Sequence, residues 1–256
     1  MDDPARLAIQ LYSLRHDGAL ARQLDIARDA GFGAVETIQA QIEDAGATRA
    51  LLDERGLVAA SGHVSLEALR ARRSWLVEAA RSLGLTALVV PALPLAERPS
   101  DAAGWEAIGV ELGDLAAELR DARIALAYHN HDWDLRPLAG GDIPLDLLLR
   151  AGAAGALGWQ ADLAWVIKGG ADPAEWLGRY RLRITSIHVK DIAPEGEAID
   201  EDGWADVGHG VVDWAQLWQL SGATAARWMI AEHDKPSDGA RFARRSFATM
   251  RRLAEA

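Results

Sequence analysis

The chain contains no cysteine, and that single absence excludes disulfides, thiolate metal sites, iron–sulfur clusters and a cysteine nucleophile. Any metal must therefore sit on imidazole and carboxylate. No apolar run approaches the roughly 20 residues that a membrane span needs. The opening segment MDDPARLAIQ starts with acids and enters an apolar strand without a small-residue cleavage site, so it does not read as a secretory signal. A soluble protein in the cytoplasm, with no membrane partner, is the expectation. Basic residues are few: 27 Lys and Arg stand against 38 Asp and Glu, for a net charge of −11. Phosphate backbones are bound by Lys/Arg patches, so this balance argues against a nucleic-acid partner. Also missing are the G-x-G-x-x-G turn and the P-loop that would announce a nucleotide-binding open sheet. The turn after the first apolar run is YSLRHDGA.

What is present is alternation. Half of the 256 residues are hydrophobic, enough for one core that buries roughly three-quarters of the unfolded surface. Eight short β-rich runs recur: LAIQLY (7–12), AVETI (34–38), LVAASGH (57–63), ALVVPA (87–92), IALAYHN (124–130), LGWQAD (157–162), ITSIHVK (184–190) and WMIAEH (228–233). Several are continuously apolar before their polar ends, as parallel strands covered on both faces require. Between them lie stretches with apolar residues three and four apart, such as LARQLDIARDAG and WEAIGVELGDLAAELRDA. Gly31, Gly56 and Gly84 follow helical stretches where a left-handed C-terminal cap is wanted. The predicted fold is α/β, a single (β/α)₈ TIM barrel over residues 1–256, with 192–213 as a long loop after the seventh strand.

Polar residues collect at the C-terminal ends of these runs: Gln10, Glu36, His63, His129, His131, Asp134, Asp162, His188, Lys190, Asp191 and Glu232. In a (β/α)₈ barrel those ends converge on one face, where the active site lies. Asp162, His188 and Glu232, on the sixth, seventh and eighth runs, read as an oxygen/nitrogen site for one divalent ion, Mn²⁺, Mg²⁺, Co²⁺ or Zn²⁺. Taken singly, each could instead cap a helix or meet an arginine. In YHNHDWD (128–134), alternation places His129 and His131 on one strand face, suited to acid/base work. Lys190, two residues beyond His188, shares its face and suits an oxyanion or phosphate, or pairs with Asp191. Among ten tryptophans, Trp165, Trp133 and Trp204 fall in rim segments where a ring can stack on a sugar. Glu36 suits substrate contact or a partner such as Arg15, and His63 suits substrate contact.

These motifs resemble the xylose isomerase-like TIM barrel superfamily, the sugar phosphate isomerase/epimerase group related to apurinic endonucleases of the endonuclease IV type. The resemblance runs from IQLYSLR (9–15) through GFGAVE (31–36) and YHNHDWD, is most specific over 161–191, and closes with DVGHGVVDW (206–214) and IAEHD (230–234). It implies metal ligands at Asp162, His188 and Glu232. The family commonly adds a Glu from strand five, and this sequence has none there. The subgroup resembling YHNHDWD commonly has Glu where Asp134 stands, whereas counting back from Asp162 favours His129. Asp134 is taken as the fourth ligand because a third carboxylate better balances a hard dication, leaving His129, His131 and Lys190 as catalytic groups and His63, Trp165 and Glu36 as substrate contacts. The endonuclease branch carries a metal-binding histidine three residues after the strand-six Asp. Here that position is Trp165, which argues against a multi-metal phosphodiesterase.

The expected activity is isomerisation or epimerisation of a keto sugar or sugar derivative, by deprotonation beside a carbonyl through an enediolate. Elimination from an inosose or 3-keto sugar starts from the same intermediate and is the alternative. A non-catalytic sugar-binding or partner subunit is the reading from a different class. The expected partner is a small carbohydrate, and homo-oligomerisation is left open.

Overall fold

The computed structural model describes residues 6–256. Eight strands lie where the apolar runs stand: β1 (Leu7–Gln10), β2 (Ala34–Thr37), β3 (Val58–His63), β4 (Ala87–Val90), β5 (Ala125–His129), β6 (Gly158–Asp162), β7 (Ile184–Val189) and, after a two-stranded ribbon of β8 (Asp191–Ile192) and β9 (Trp204–Ala205), β10 (Trp228–Ala231). The eight long-range strands pair in parallel and close into a barrel in the order β1-β10-β7-β6-β5-β4-β3-β2. Around them lie α1 (Leu20–Ala30), α2 (Gln39–Glu43), α3 (Ala45–Asp53), α4 (Leu66–Leu83), α5 (Ala102–Asp121), α6 (Pro144–Ala151), α7 (Leu163–Lys168), α8 (Pro173–Tyr180), α9 (Trp214–Gly222) and α10 (Gly239–Glu255).

The helices form for local reasons that the sequence carries. Helix α4 begins at Ser65, whose side chain accepts from Ala68 N, and α5 begins at Asp101, which accepts from Gly104 N. Gly31 ends α1 at φ 111°, and a β-carbon there would meet the Phe247 ring at 2.4 Å, so both the turn and the packing of α1 on α10 require glycine. The 192–213 segment is not wholly irregular, because it folds back as the β8–β9 ribbon with a short 3₁₀ turn at Ile199–Glu201.

Strand alternation sorts the lumen into levels. The floor is an apolar cluster of Ala8, Ala34, Ala60 and Ile230. Two residues further along β1, β2 and the end of β10 come Gln10, Glu36 and Glu232. Register places Gln10 beside Glu36 and Asp162 beside His188. The small floor residues leave the volume of the lumen to polar side chains above them, and these are fully or almost fully buried.

Candidate metal centre and active site

Glu36 is the hub of the middle level. Its carboxylate accepts from Gln10 Nε2 at 2.5 Å, Ser61 Oγ at 2.5 Å and Gln160 Nε2 at 2.6 Å, and faces His188 Nε2 at 2.8 Å and His63 Nε2 at 3.0 Å. Burial alone would raise its pKa, but His63 and His188 beside it hold it well below the usual carboxylate range. His188 is thereby clamped. Its Nε2 faces Glu36, while its Nδ1 stands 2.9 Å from Glu232.

Above this hub, His129, Asp162, His188 and Glu232 each bring one ligand atom within 4.8 Å of the others. Asp162 serves two ends at once: Oδ1 caps α7 by accepting from Trp165 N at 2.9 Å, and Oδ2 is buried without a partner. Cap and ligand are thus not rival readings for this residue, since each claims a different oxygen. Asn130 fixes its backbone, accepting from Asp162 N and donating to Asp162 O. His129 Nδ1 is likewise buried and unpartnered. Burial raises Asp162 to about 7 in spite of Lys190, and burial with its histidine neighbours lowers His129. For His188 burial is outweighed by Glu232 and Glu36, which lift it to about 10. Two carboxylates around one imidazole, with two orphaned donor atoms adjoining, call for positive charge at this point, and a donor set of two imidazoles and two carboxylates fits a divalent ion. Glu36 then stands as the outer carboxylate that orients a ligand histidine.

Lys190 is fully buried beside this group, 2.7 Å from Asp234, 3.3 Å from Glu232 and 3.7 Å from Asp162. Burial would lower it, but the three carboxylates keep it charged. Burial would raise Glu232, but Lys190 and His188 beside it hold it well below the usual range. Its ammonium lies 4.3 Å from the centre of the Trp204 ring and 4.9 Å from that of Trp165. The chain neighbour Asp191 points the other way and does not pair with it; it accepts from the amides of Ile192, Gly208, Gly210 and Val212.

A cavity of about 570 Å³ opens over the cluster, bordered by His63, His129, His131, Trp133, Trp165, Glu232 and Asp234 on its polar and aromatic sides. That volume is ordinary for a small-molecule site. A second cavity of about 350 Å³ lies at the opposite end of the barrel, where Arg183 and Arg227 are the ionisable residues on its wall and no acid or histidine joins them.

Expectation and geometry part at four residues. Lys190, expected as a catalytic group, does not border the cavity. Asp134 does not join the cluster: Oδ1 accepts from Tyr128 OH at 3.1 Å and Oδ2 from His131 N at 2.9 Å, which ties it into the turn after β5. Burial raises it to about 7. Its one-methylene shortfall against Glu and this local hydrogen bonding leave the strand-five position to His129. Glu36 lies beneath His63 and His188 and does not border the cavity, because β2 delivers it into the lumen. Arg15 takes no part with it, donating instead to Tyr12 O and Asp234 O. Trp133 offers no free face for stacking: His131 stacks on it at 4.2 Å and 8°, and the Arg98 guanidinium lies 3.6 Å from its centre, so both faces are covered. Two residues were missed by sequence reasoning, Gln160 and Asp234. Each lies two positions from a named residue, Asp162 and Glu232, so strand alternation carried the signal.

Comparison with known proteins agrees with this architecture. The family model described as xylose isomerase-like TIM barrel matches residues 24–253. The rhizopine catabolism protein MocC of Rhizobium meliloti is 26% identical over 180 residues, covering 64% of this chain and 54% of its own length, so the match spans about half of that relative. A sugar phosphate isomerase/epimerase from Parabacteroides distasonis superposes with a TM-score of 0.80 at 17% identity, over 96% of this chain and 94% of that one. The IolI protein, whose crystal structure has a zinc atom bound, gives a TM-score of 0.72 at 12% identity, over 97% and 98%. At those identities the two structures testify to the fold. No helix among the described residues is long and apolar enough to cross a membrane.

Proposed function

From a chain that belongs to the xylose isomerase-like TIM barrel family, we propose a metal-dependent isomerase or epimerase that acts on a keto sugar or sugar derivative by moving a proton beside its carbonyl. The observation that carries this reading is the convergence of His129, Asp162, His188 and Glu232, from four different strands or strand ends, on one point in the lumen below the cavity. We assign those four as the ligands of one divalent ion, with His129 in the place for which Asp134 was the sequence-based choice. When bound, the ion supplies Lewis acidity at the carbonyl oxygen.

The chain's own residues do the rest. His131 borders the cavity with Nδ1 unpartnered, and burial next to Lys190 lowers it to about 3, so it is unprotonated near neutrality. Glu232 and Asp234 border the same cavity from the end of β10. We assign His131 and the Glu232 carboxylate as the two groups that exchange a proton with the carbon next to the carbonyl, an arrangement suited to reversible transfer. Lys190, which does not border the cavity, acts as a positioning residue that keeps Glu232 and Asp234 ionised. Trp165 and the His131–Trp133 stack exclude water from the reacting carbon.

Two measurements test the reading. Elemental analysis of protein purified without added metal should find one divalent ion per chain. Incubation of the loaded protein with keto sugars in D₂O should exchange the hydrogen next to the carbonyl, a step that precedes isomerisation and elimination alike. A metal-free protein that binds sugars without exchange would identify a binding subunit instead.

A further inference from the structure

The wall of the cavity is as informative in what it withholds. None of the described residues that border it is a lysine or arginine. The cations nearby are committed elsewhere. Lys190 is sealed behind Asp162, Glu232 and Asp234. Arg15 lies over the Tyr12 ring and donates to two backbone carbonyls. Arg98 covers Trp133 and donates to Leu93 O, and Lys168 stands 3.4 Å from the centre of Trp204. The helix start on the rim is likewise occupied, since Gln39 Oε1 accepts from Ser65 N and Ser65 Oγ from Ala68 N. Facing the space instead are two carboxylates, Glu232 and Asp234, and an apolar side that includes Ile38, Val64, Pro91 and Trp165.

We infer that the substrate is uncharged: an unphosphorylated keto polyol that donates hydroxyls to Glu232 and Asp234 and lays its C–H face against Ile38, Val64, Pro91 and Trp165. The lining matches such a molecule on both sides. Carboxylates are acceptor-only groups that hydroxyl donors satisfy, and the apolar side covers ring carbons. A phosphate monoester meets the like charge of Glu232 and Asp234 with no lysine or arginine among the described residues of the wall to offset it, which disfavours it against the uncharged sugar. The sequence left open whether Lys190 serves a phosphate. Its burial behind three carboxylates removes it from that task. The inference rests on the proposed reaction only for the carbonyl, and the binding part is independent of it.

The test pairs uncharged keto sugars and cyclic polyol ketones with their own phosphate monoesters on the metal-loaded protein. Binding is read by tryptophan fluorescence and, separately, reaction by exchange of the α-hydrogen in D₂O. The expected result is binding of the uncharged member at least about 100-fold tighter, with no competition from inorganic phosphate. Asp234→Asn removes one facing carboxylate and releases Lys190, and should narrow that preference by about 10-fold. Tight uncharged binding without exchange would sink the proposed reaction and leave the substrate class standing. Equal or tighter binding of the phosphate esters, binding of neither member, or a preference untouched by Asp234→Asn would overturn the substrate class, whatever exchange shows.

Discussion

Lys190 and Glu232 turn into the lumen, while their chain neighbours Asp191 and His233 turn outward, so the same two stretches of backbone build two ionic clusters. Outside, the carboxylates are matched. Asp191 takes four amides of the loop after β7, and Arg241 joins Glu201 and Asp206 with contacts of 2.9–3.1 Å. Gly210 is part of that knot, since a β-carbon there would lie 2.3 Å from Asp191 Oδ1. Inside, Asp162 Oδ2 and His129 Nδ1 have no hydrogen-bond partner, and the Lys190 ammonium stands 3.7 Å from Asp162. The outer cluster stabilises the loop that backs the site; the inner one is left wanting a cation, and unmatched buried groups of that kind cost stability unless a ligand meets them.

The sharpest way to break the comparison is Asp162→Asn. The amide oxygen keeps the cap on Trp165 N, while a hard ligand is lost. Metal affinity should fall at least about 100-fold, beyond what loss of an outer partner costs, and activity should vanish. Because burial raises Asp162 to about 7, its charge opposes folding above neutrality, so the metal-free variant should melt at a higher temperature than metal-free wild type at pH 8. A lower melting temperature would place Asp162 with the matched outer carboxylates.

His131→Gln probes proton transfer with the ligands left alone. Turnover should drop by roughly 10²–10⁴, with metal content unchanged by elemental analysis. Exchange at the wild-type rate would remove His131 from the transfer and leave it to Glu232 with Asp234 as its counterpart.

Much of this was legible before any coordinates. Periodicity alone located all eight strands, because a parallel barrel buries each strand on both faces and leaves polar residues only at the ends. The convergence of Asp162, His188 and Glu232 followed from those ends. What the sequence could not convey was which way short side chains turn once backbone amides compete for them. Asp134 stands in a motif where a carboxylate ligand is expected, yet the His131 amide three residues back claims it, and that depends on the turn geometry after β5. The role of Glu36 was hidden for another reason: its partners Gln160 and His188 lie 124 and 152 residues away, pairs that only closure of the barrel creates.

Asp191→Ala attacks the outer cluster. Leaving four loop amides without their acceptor should destabilise the protein by about 3 kcal/mol, since some of them regain water. Chemical denaturation measures it, and metal should still bind with near-wild-type affinity. Lost metal together with an intact fold would show that the two clusters are not separable.

The smallest effect concerns acid. Burial would raise the Glu201 carboxyl, but the Ser237 hydroxyl and amide and the Arg241 guanidinium outweigh it and bring it to about 2. A carboxyl whose folded value lies below its unfolded one adds stability above the unfolded value of about 4.5, and loses it as pH falls toward 2. Solvent reaches part of this group through the half-buried Arg241, so screening reduces the contribution to about 1 kcal/mol. His233, whose Nε2 lies 3.4 Å from Glu201, is lowered to about 4 by burial and titrates in the same range. Comparison of wild type with Glu201→Gln cancels the part of its share that burial sets, though not the part that the Glu201 charge adds. Urea unfolding of the two proteins should differ by about 1 kcal/mol at pH 7, and the gap should shrink to under about half of that by pH 3. A gap undiminished at pH 3 would mean that Glu201 acts through packing and not through its charge, and the outer cluster would then owe its stability to shape.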